Sequence, residues 1–176
     1  MEEEDNEFVG LDALMREQTA QAEDLMEAEE AALQVIGFNL GQAHFVVDIL
    51  HVREIMRFNE LEITRVPYSH PYILGVVNLR GKVVPMIDLG QRLGGSSVEG
   101  GDRARAVVVE LKQELLGFTV DSVSEVLRLQ QDEIQPPASS EEYVVGVAMM
   151  NGQIMSLLDL KVLFAKGDYT ALDQAE

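Results

Sequence analysis

The sequence has no cysteine, no tryptophan and only 13 basic residues against 31 acidic ones, a formal net charge of −18. Without cysteine there can be no disulfide scaffold, no thiol nucleophile and no Cys-based zinc site. Nucleic acid and anionic membrane both demand clustered cations, so neither is expected as a main partner. No apolar run approaches the roughly 18 residues of a spanning helix, so direct membrane insertion is not expected. The start, Met1-Glu2-Glu3-Glu4-Asp5, lacks the basic and apolar regions of a secretory leader, which sets the cytoplasm as the expected address. Also missing are a Gly-x4-Gly-Lys-Ser/Thr phosphate loop and a Gly-x-Ser-x-Gly elbow. His44, His51 and His70 have no histidine four residues away and no evident nucleophile to activate. The expectation is a protein without catalytic residues, metal or cofactor.

What is present divides into a tail and a core. Residues 1–30 hold 12 acidic residues and one basic, Arg16, so 11 of the 18 excess charges sit in one-sixth of the chain. Leu11, Leu14, Met15, Gln18, Ala22, Leu25 and Met26 recur there at helical spacing, which predicts a weakly amphipathic acidic helix over 11–32, within an extension spanning 1–32. Two readings stand: a frayed solubilising tail, or a helix that docks on a partner through Leu14, Leu25 and Met26.

From Leu33 the texture changes to short β-branched and aromatic runs. Leu33 to Leu40 and Ala43 to Ile49 flank Gly41-Gln42; Ala104 to Leu111 and Leu115 to Val120 flank Lys112-Gln113-Glu114. Ile73 to Asn78, Val83 to Ile87, Val144 to Met149 and Ile154 to Leu158 are further strands, with turns at Gly81-Lys82 and Gly152-Gln153. Many short strands with regular turns predict an all-β barrel or sandwich. Short helical turns are expected at 89–93 and 160–164. The stretch from Gly94 to Gly101 reads as flexible and divides the core into halves.

The halves repeat. Residues 52–89 slide by 71 positions onto 123–160 with twelve identities in 38, among them Val52/Val123, Glu54/Glu125, Gly75/Gly146, Gly81/Gly152 and Asp88/Asp159. A shift of 73 matches Phe45/Phe118, Val47/Val120 and Asp48/Asp121 upstream. Two copies of one β unit predict two small barrels side by side. The first would lie mostly in 33–95, the second mostly in 102–165, with a tail at 166–176. Each copy of about 70 residues is marginal alone, so a shared apolar seam is expected.

Positions kept in both copies are needed to build the unit. Both glycine pairs look like places with no room for a side chain, and Asp88 and Asp159 look like helix caps. Positions that differ are free of that demand. Asn78-Leu79-Arg80-Gly81 answers to Met149-Met150-Asn151-Gly152, so folding does not require Arg80. A guanidinium on such a turn is either solvated or grips a partner's carboxylate or carbonyl.

The stretch from Val66 to Leu89, with its core Asn78-Leu79-Arg80-Gly81 followed by Pro85 and Asp88-Leu89, resembles the chemotaxis coupling (adaptor) protein family, CheW. Val120 to Val126, Tyr143 to Val147 and Leu157 to Leu160 agree with it, and the likeness covers about 33–165. The resemblance implies two SH3-like five-stranded β-barrels. It implies a non-catalytic adaptor between the cytoplasmic tips of methyl-accepting chemoreceptors and the regulatory domain of the histidine kinase CheA, which shares the fold. A CheV-like coupler or a CheA regulatory domain, of which this chain would be a fragment, is the alternative. The matching contact positions are Arg80, Glu54, Val52, Val126 and Gly75, with Gly75 suited to close backbone approach. Val52 and Glu54 recur as Val123 and Glu125, so the repeat treats as architectural what the resemblance treats as contact. The acidic extension departs from the family plan and suggests a variant serving a separate chemosensory system, such as one for twitching motility.

Overall fold

The computed structural model describes residues 2–165; the predicted tail at 166–176 lies outside them. Helix α1 (Glu2–Ala31) comes first, and its residues 10–27 are exposed along their whole length. Leu11, Leu14, Met15, Leu25 and Met26 all face solvent, and the one base, Arg16, pairs with Asp12 at 3.2 Å. Removing residues 1–30 is therefore expected to shift the stability of the β body by no more than ~0.5 kcal/mol in a urea melt, as surface changes do. A truncated chain that fails to fold would contradict this.

The body runs β1 (Leu33–Leu40), β2 (Ala43–Asp48), β3 (Val52–Arg57), β4 (Ile73–Leu79), β5 (Lys82–Asp88), α2 (Leu89–Arg92), β6 (Arg105–Leu111), β7 (Glu114–Val120), β8 (Ser122–Leu129), β9 (Val144–Met150), β10 (Gln153–Leu158) and α3 (Leu160–Leu163). Eight strands fall where β-branched runs predict them. The other two, β3 and β8, carry charge within short stretches and show no apolar run.

The ten strands form two five-stranded sheets, ordered β8-β1-β2-β10-β9 and β3-β6-β7-β5-β4. The expected units, mostly 33–95 and mostly 102–165, are mixed in these sheets. Each sheet takes one hairpin from one half of the chain and three strands from the other. Renaming strands by their repeat counterparts turns one order into the other, so the halves exchange hairpins about a pseudo-twofold. The reason is local. Only Asp121 separates β7 from β8, and a single residue cannot turn an antiparallel strand back beside its neighbour. The chain must continue into the other sheet. Between β2 and β3 the link is the three-residue 3-10 turn Ile49–His51, and these two extra residues are the step from 73 to 71 in the repeat offset. The crossing at Asp121 is tied down: its backbone N–H donates to the Asn39 carbonyl at 3.0 Å, and its carboxylate accepts from the Gly41 N–H at 2.5 Å.

Burial follows the exchange. Val35, Val46, Leu129, Ala148 and Met155 fill one barrel; Val77, Val84, Met86, Ala106 and Val108 fill the other. A larger cluster joins them, with Ile36, Phe38 and Val47 of one sheet against Ile87, Val107, Val109 and Phe118 of the other. Phe38 and Phe118 meet across this seam with ring centres 5.7 Å apart. The shared apolar layer is what two marginal units need to be stable together. Arg92 spans the seam as well. It donates to the Leu163 carbonyl at 3.0 Å and lies 5.6 Å and 6.0 Å from the ring centres of Tyr72 and Tyr143, which are repeat counterparts. Burial pushes the Tyr143 phenol above its ordinary pKa; Glu141 adds to this and Arg92 opposes it.

The segment from Gly94 to Gly101, expected to be flexible, is pinned. Asp88 is buried, and its carboxylate accepts from the Ser97 hydroxyl at 2.5 Å, the Val98 N–H at 3.1 Å and the Gln91 N–H at 3.2 Å. Gly95 N–H adds a bond to the Gly90 carbonyl at 2.9 Å. Asp88 thus caps α2, as expected, and also holds the strap between the halves. Asp159 caps α3 through the Lys161 and Val162 N–H groups.

Candidate functional site

The β4–β5 hairpin closes on two residues, Arg80 and Gly81, with φ of 52° and 85°. Two successive left-handed residues make the turn whose twist matches its strands, and Asn-Gly is the usual pair. Asn151-Gly152 closes the β9–β10 hairpin in this way, with φ of 51° and 76°. Gly81 and Gly152 have open space where a side chain would stand, so their need is conformational rather than steric, contrary to the expectation. Asn78 steadies the first turn by accepting from the Gly81 N–H at 3.0 Å. Arg80 occupies a backbone region that costs a non-glycine L-residue about 1–2 kcal/mol.

The Arg80 side chain is 85% exposed, and one of its guanidinium nitrogens lies 3.4 Å from the carboxylate of Glu54 on β3. Such an exposed pair is worth about 0–1 kcal/mol and opens readily to a competing carboxylate. Arg53, the residue before Glu54 on β3, pairs with Glu110 at 2.5 Å. Two of the sequence-derived residues, Arg80 and Glu54, therefore meet on one surface. Val52 stands two residues before Glu54, half-buried against the shared core. Val126 is exposed on β8, in the other sheet.

Gly75 is buried, and a Cβ there would lie 2.1 Å from the Thr64 carbonyl oxygen. It belongs to the frame of the barrel, and the backbone that approaches it closely is that of Thr64 in its own chain. Two further exposed apolar residues were missed. Ile55, on β3, is the counterpart of Val126 at the 71-residue offset, which was a signal in plain view. Val83 faces solvent beside the turn, opposite Asn78.

The two hairpin tips differ in chemistry. The β4–β5 tip carries Arg80 and Lys82. The β9–β10 hairpin has no charged residue from Val144 to Leu158 and exposes Met149 and Ile154 as a cross-strand pair. Among the described residues no group of His, Asp or Glu is placed to hold a metal, and no helix is long and apolar enough to cross a membrane.

Comparison with known proteins agrees with this architecture. Residues 34–167 match the family model described as the CheW-like domain. The chemotaxis protein CheW of Rhizobium meliloti is 35% identical over 136 residues, covering 74% of this chain and 86% of that protein. A probable chemotaxis protein CheW of Rhizobium etli is 32% identical over 143 residues, covering 78% and 91%. The crystal structure of the scaffolding protein TtCheW from Thermoanaerobacter tengcongensis superposes with a TM-score of 0.70 at 28% identity, covering 78% of this chain and 95% of that one.

Proposed function

The chain belongs to the CheW-like family, and from that premise we propose how its surfaces are used. It is an adaptor of chemosensory signalling, a scaffold that joins other proteins. Its partners are the cytoplasmic tips of methyl-accepting chemoreceptors and the regulatory domain of the histidine kinase CheA, and it works in the cytoplasm, held at receptor arrays through them. It needs no chemistry of its own. Arg80 and Glu54 supply the polar contacts that fix register on the receptor, and Val126, with Val52 at the edge of the core, supplies apolar contact.

One observation carries this reading. Arg80 stands, exposed, at a strained turn position that the second copy fills with the better-suited Asn151. A residue kept against local preference and unneeded for the fold is explained by what it touches.

Arg80→Asp is the test. Its stability in a urea melt is expected to stay within ~0.5 kcal/mol of the parent. Co-sedimentation with receptor fragment and kinase is expected to weaken by roughly tenfold, since the variant removes a charged partner and sets a carboxylate against Glu54. Undiminished assembly would take Arg80 out of the interface, and a large loss of stability would make it architectural.

A further inference from the structure

Five non-glycine residues among those described have a left-handed backbone: Tyr68, Arg80, Lys112, Gln113 and Asn151. Four of them sit in two-residue hairpin turns, where the strands impose that conformation. Tyr68 does not. It follows Pro67 in the turn Val66-Pro67-Tyr68-Ser69, with φ of 62° at a position where glycine or asparagine is usual. The turn is secured by the Ser69 hydroxyl, which donates to the Val66 carbonyl at 2.8 Å. The Tyr68 ring, meanwhile, is fully exposed. An aromatic residue is thus held in a disfavoured conformation while burying nothing of its own. Its counterpart 71 residues on is Ser139, so the repeat unit does not need the ring. In the same loop Arg65 is exposed and has no ion pair among the described residues.

The loop lies at the opposite end of β4 from Arg80. Seven residues of strand separate the two ends by about 20 Å. A protein that bridges two partners needs surfaces that do not compete. We propose that Tyr68, flanked by Arg65, is an anchor for the second partner of the bridge, the kinase regulatory domain, which would offer an apolar pocket for the ring and a carboxylate for the guanidinium. This rests on the receptor–kinase reading above. Tyrosine suits the role because its large rigid ring gains contact area for little lost freedom.

The position makes a clean test possible. Tyr68→Gly removes the ring and relieves the backbone, so it is expected to leave the melting temperature unchanged or slightly raised. Binding of the full chain to purified kinase regulatory domain is expected to weaken by roughly tenfold, the effect of losing an aromatic anchor. Binding to a receptor-tip fragment is expected to stay the same. Unchanged affinity for the kinase domain, a loss that falls on the receptor fragment, or a marked drop in melting temperature would each overturn the proposal. If the parent chain binds neither fragment, the bridging reading fails and takes this inference with it. If the parent binds both and the variant matches it, the inference alone fails.

Discussion

Gly75→Ala is expected to destabilise the protein by about 4 kcal/mol, from overpacking and backbone strain together. The added carbon would lie 2.1 Å from the carbonyl oxygen of Thr64 and 2.8 Å from its carbonyl carbon. Those atoms cannot step aside. Thr64 N–H donates to the Val76 carbonyl at 2.9 Å and Val76 N–H donates back at 2.8 Å, the bridge that ties the chain after β3 to β4. The φ of 142° at Gly75 is also closed to an L side chain. Gly146, its counterpart, gives the control. Its nearest obstacle is the Cγ2 methyl of Ile134 at 2.5 Å, with Gln135 carbonyl oxygen at 3.3 Å, and its φ is not left-handed. A side chain can shift where a backbone cannot, so Gly146→Ala is expected to cost about 1–2 kcal/mol. Urea melts of the two variants decide it: equal losses would mean that the close approach at Gly75 is not what closes the barrel.

Asp88→Ala is expected to cost about 3 kcal/mol and to expose the chain between Gly94 and Gly101 to protease. The lost carboxylate serves the Ser97 hydroxyl and the N–H groups of Gln91 and Val98, and the Val98 bond is buried. Removing a charged acceptor leaves those donors without a partner, at about 1–3 kcal/mol for a buried one. The comparison is Asp159→Ala, which removes only a helix cap and is expected to cost about 1 kcal/mol with no change in cleavage. Limited proteolysis followed by mass analysis reads the difference. Cleavage of the Asp88 variant at the parent's rate would show that the carboxylate does not hold the strap.

Much of this architecture was legible in the sequence, for physical reasons that vary by element. The hairpins were visible because β-branched runs stop at residues able to turn, as at Gly41-Gln42 and at Gly152, where the turn falls on Asn151-Gly152, one residue before the expected Gly152-Gln153. The duplication was visible because the same packing was imposed twice. Strands β3 and β8 were hidden because Arg53, Glu54 and Arg57, or Ser124, Glu125 and Arg128, interrupt any apolar run, and pairing to β6 and β1 supplies what local preference lacks. The exchange of hairpins left one mark, the two-residue change in offset, and its meaning depends on how short the Asp121 link is. At the site, Arg80 was legible as an unrepeated side chain on a repeated turn, and its neighbour Glu54 came from the resemblance alone. The strap was misread because Gly-Gly-Ser-Ser composition describes what a segment could do alone, whereas Asp88 decides what it does here.

The swapped hairpins carry a lesson about descent. Two separate chains of five strands, each lending its first pair to the other, would build the same object as a symmetric homodimer. Joining them end to end preserves every contact and adds a tether, which then has to be fastened. Fusion also frees each copy to drift, so one tip could become cationic and the other greasy, a polarity that identical subunits can never have.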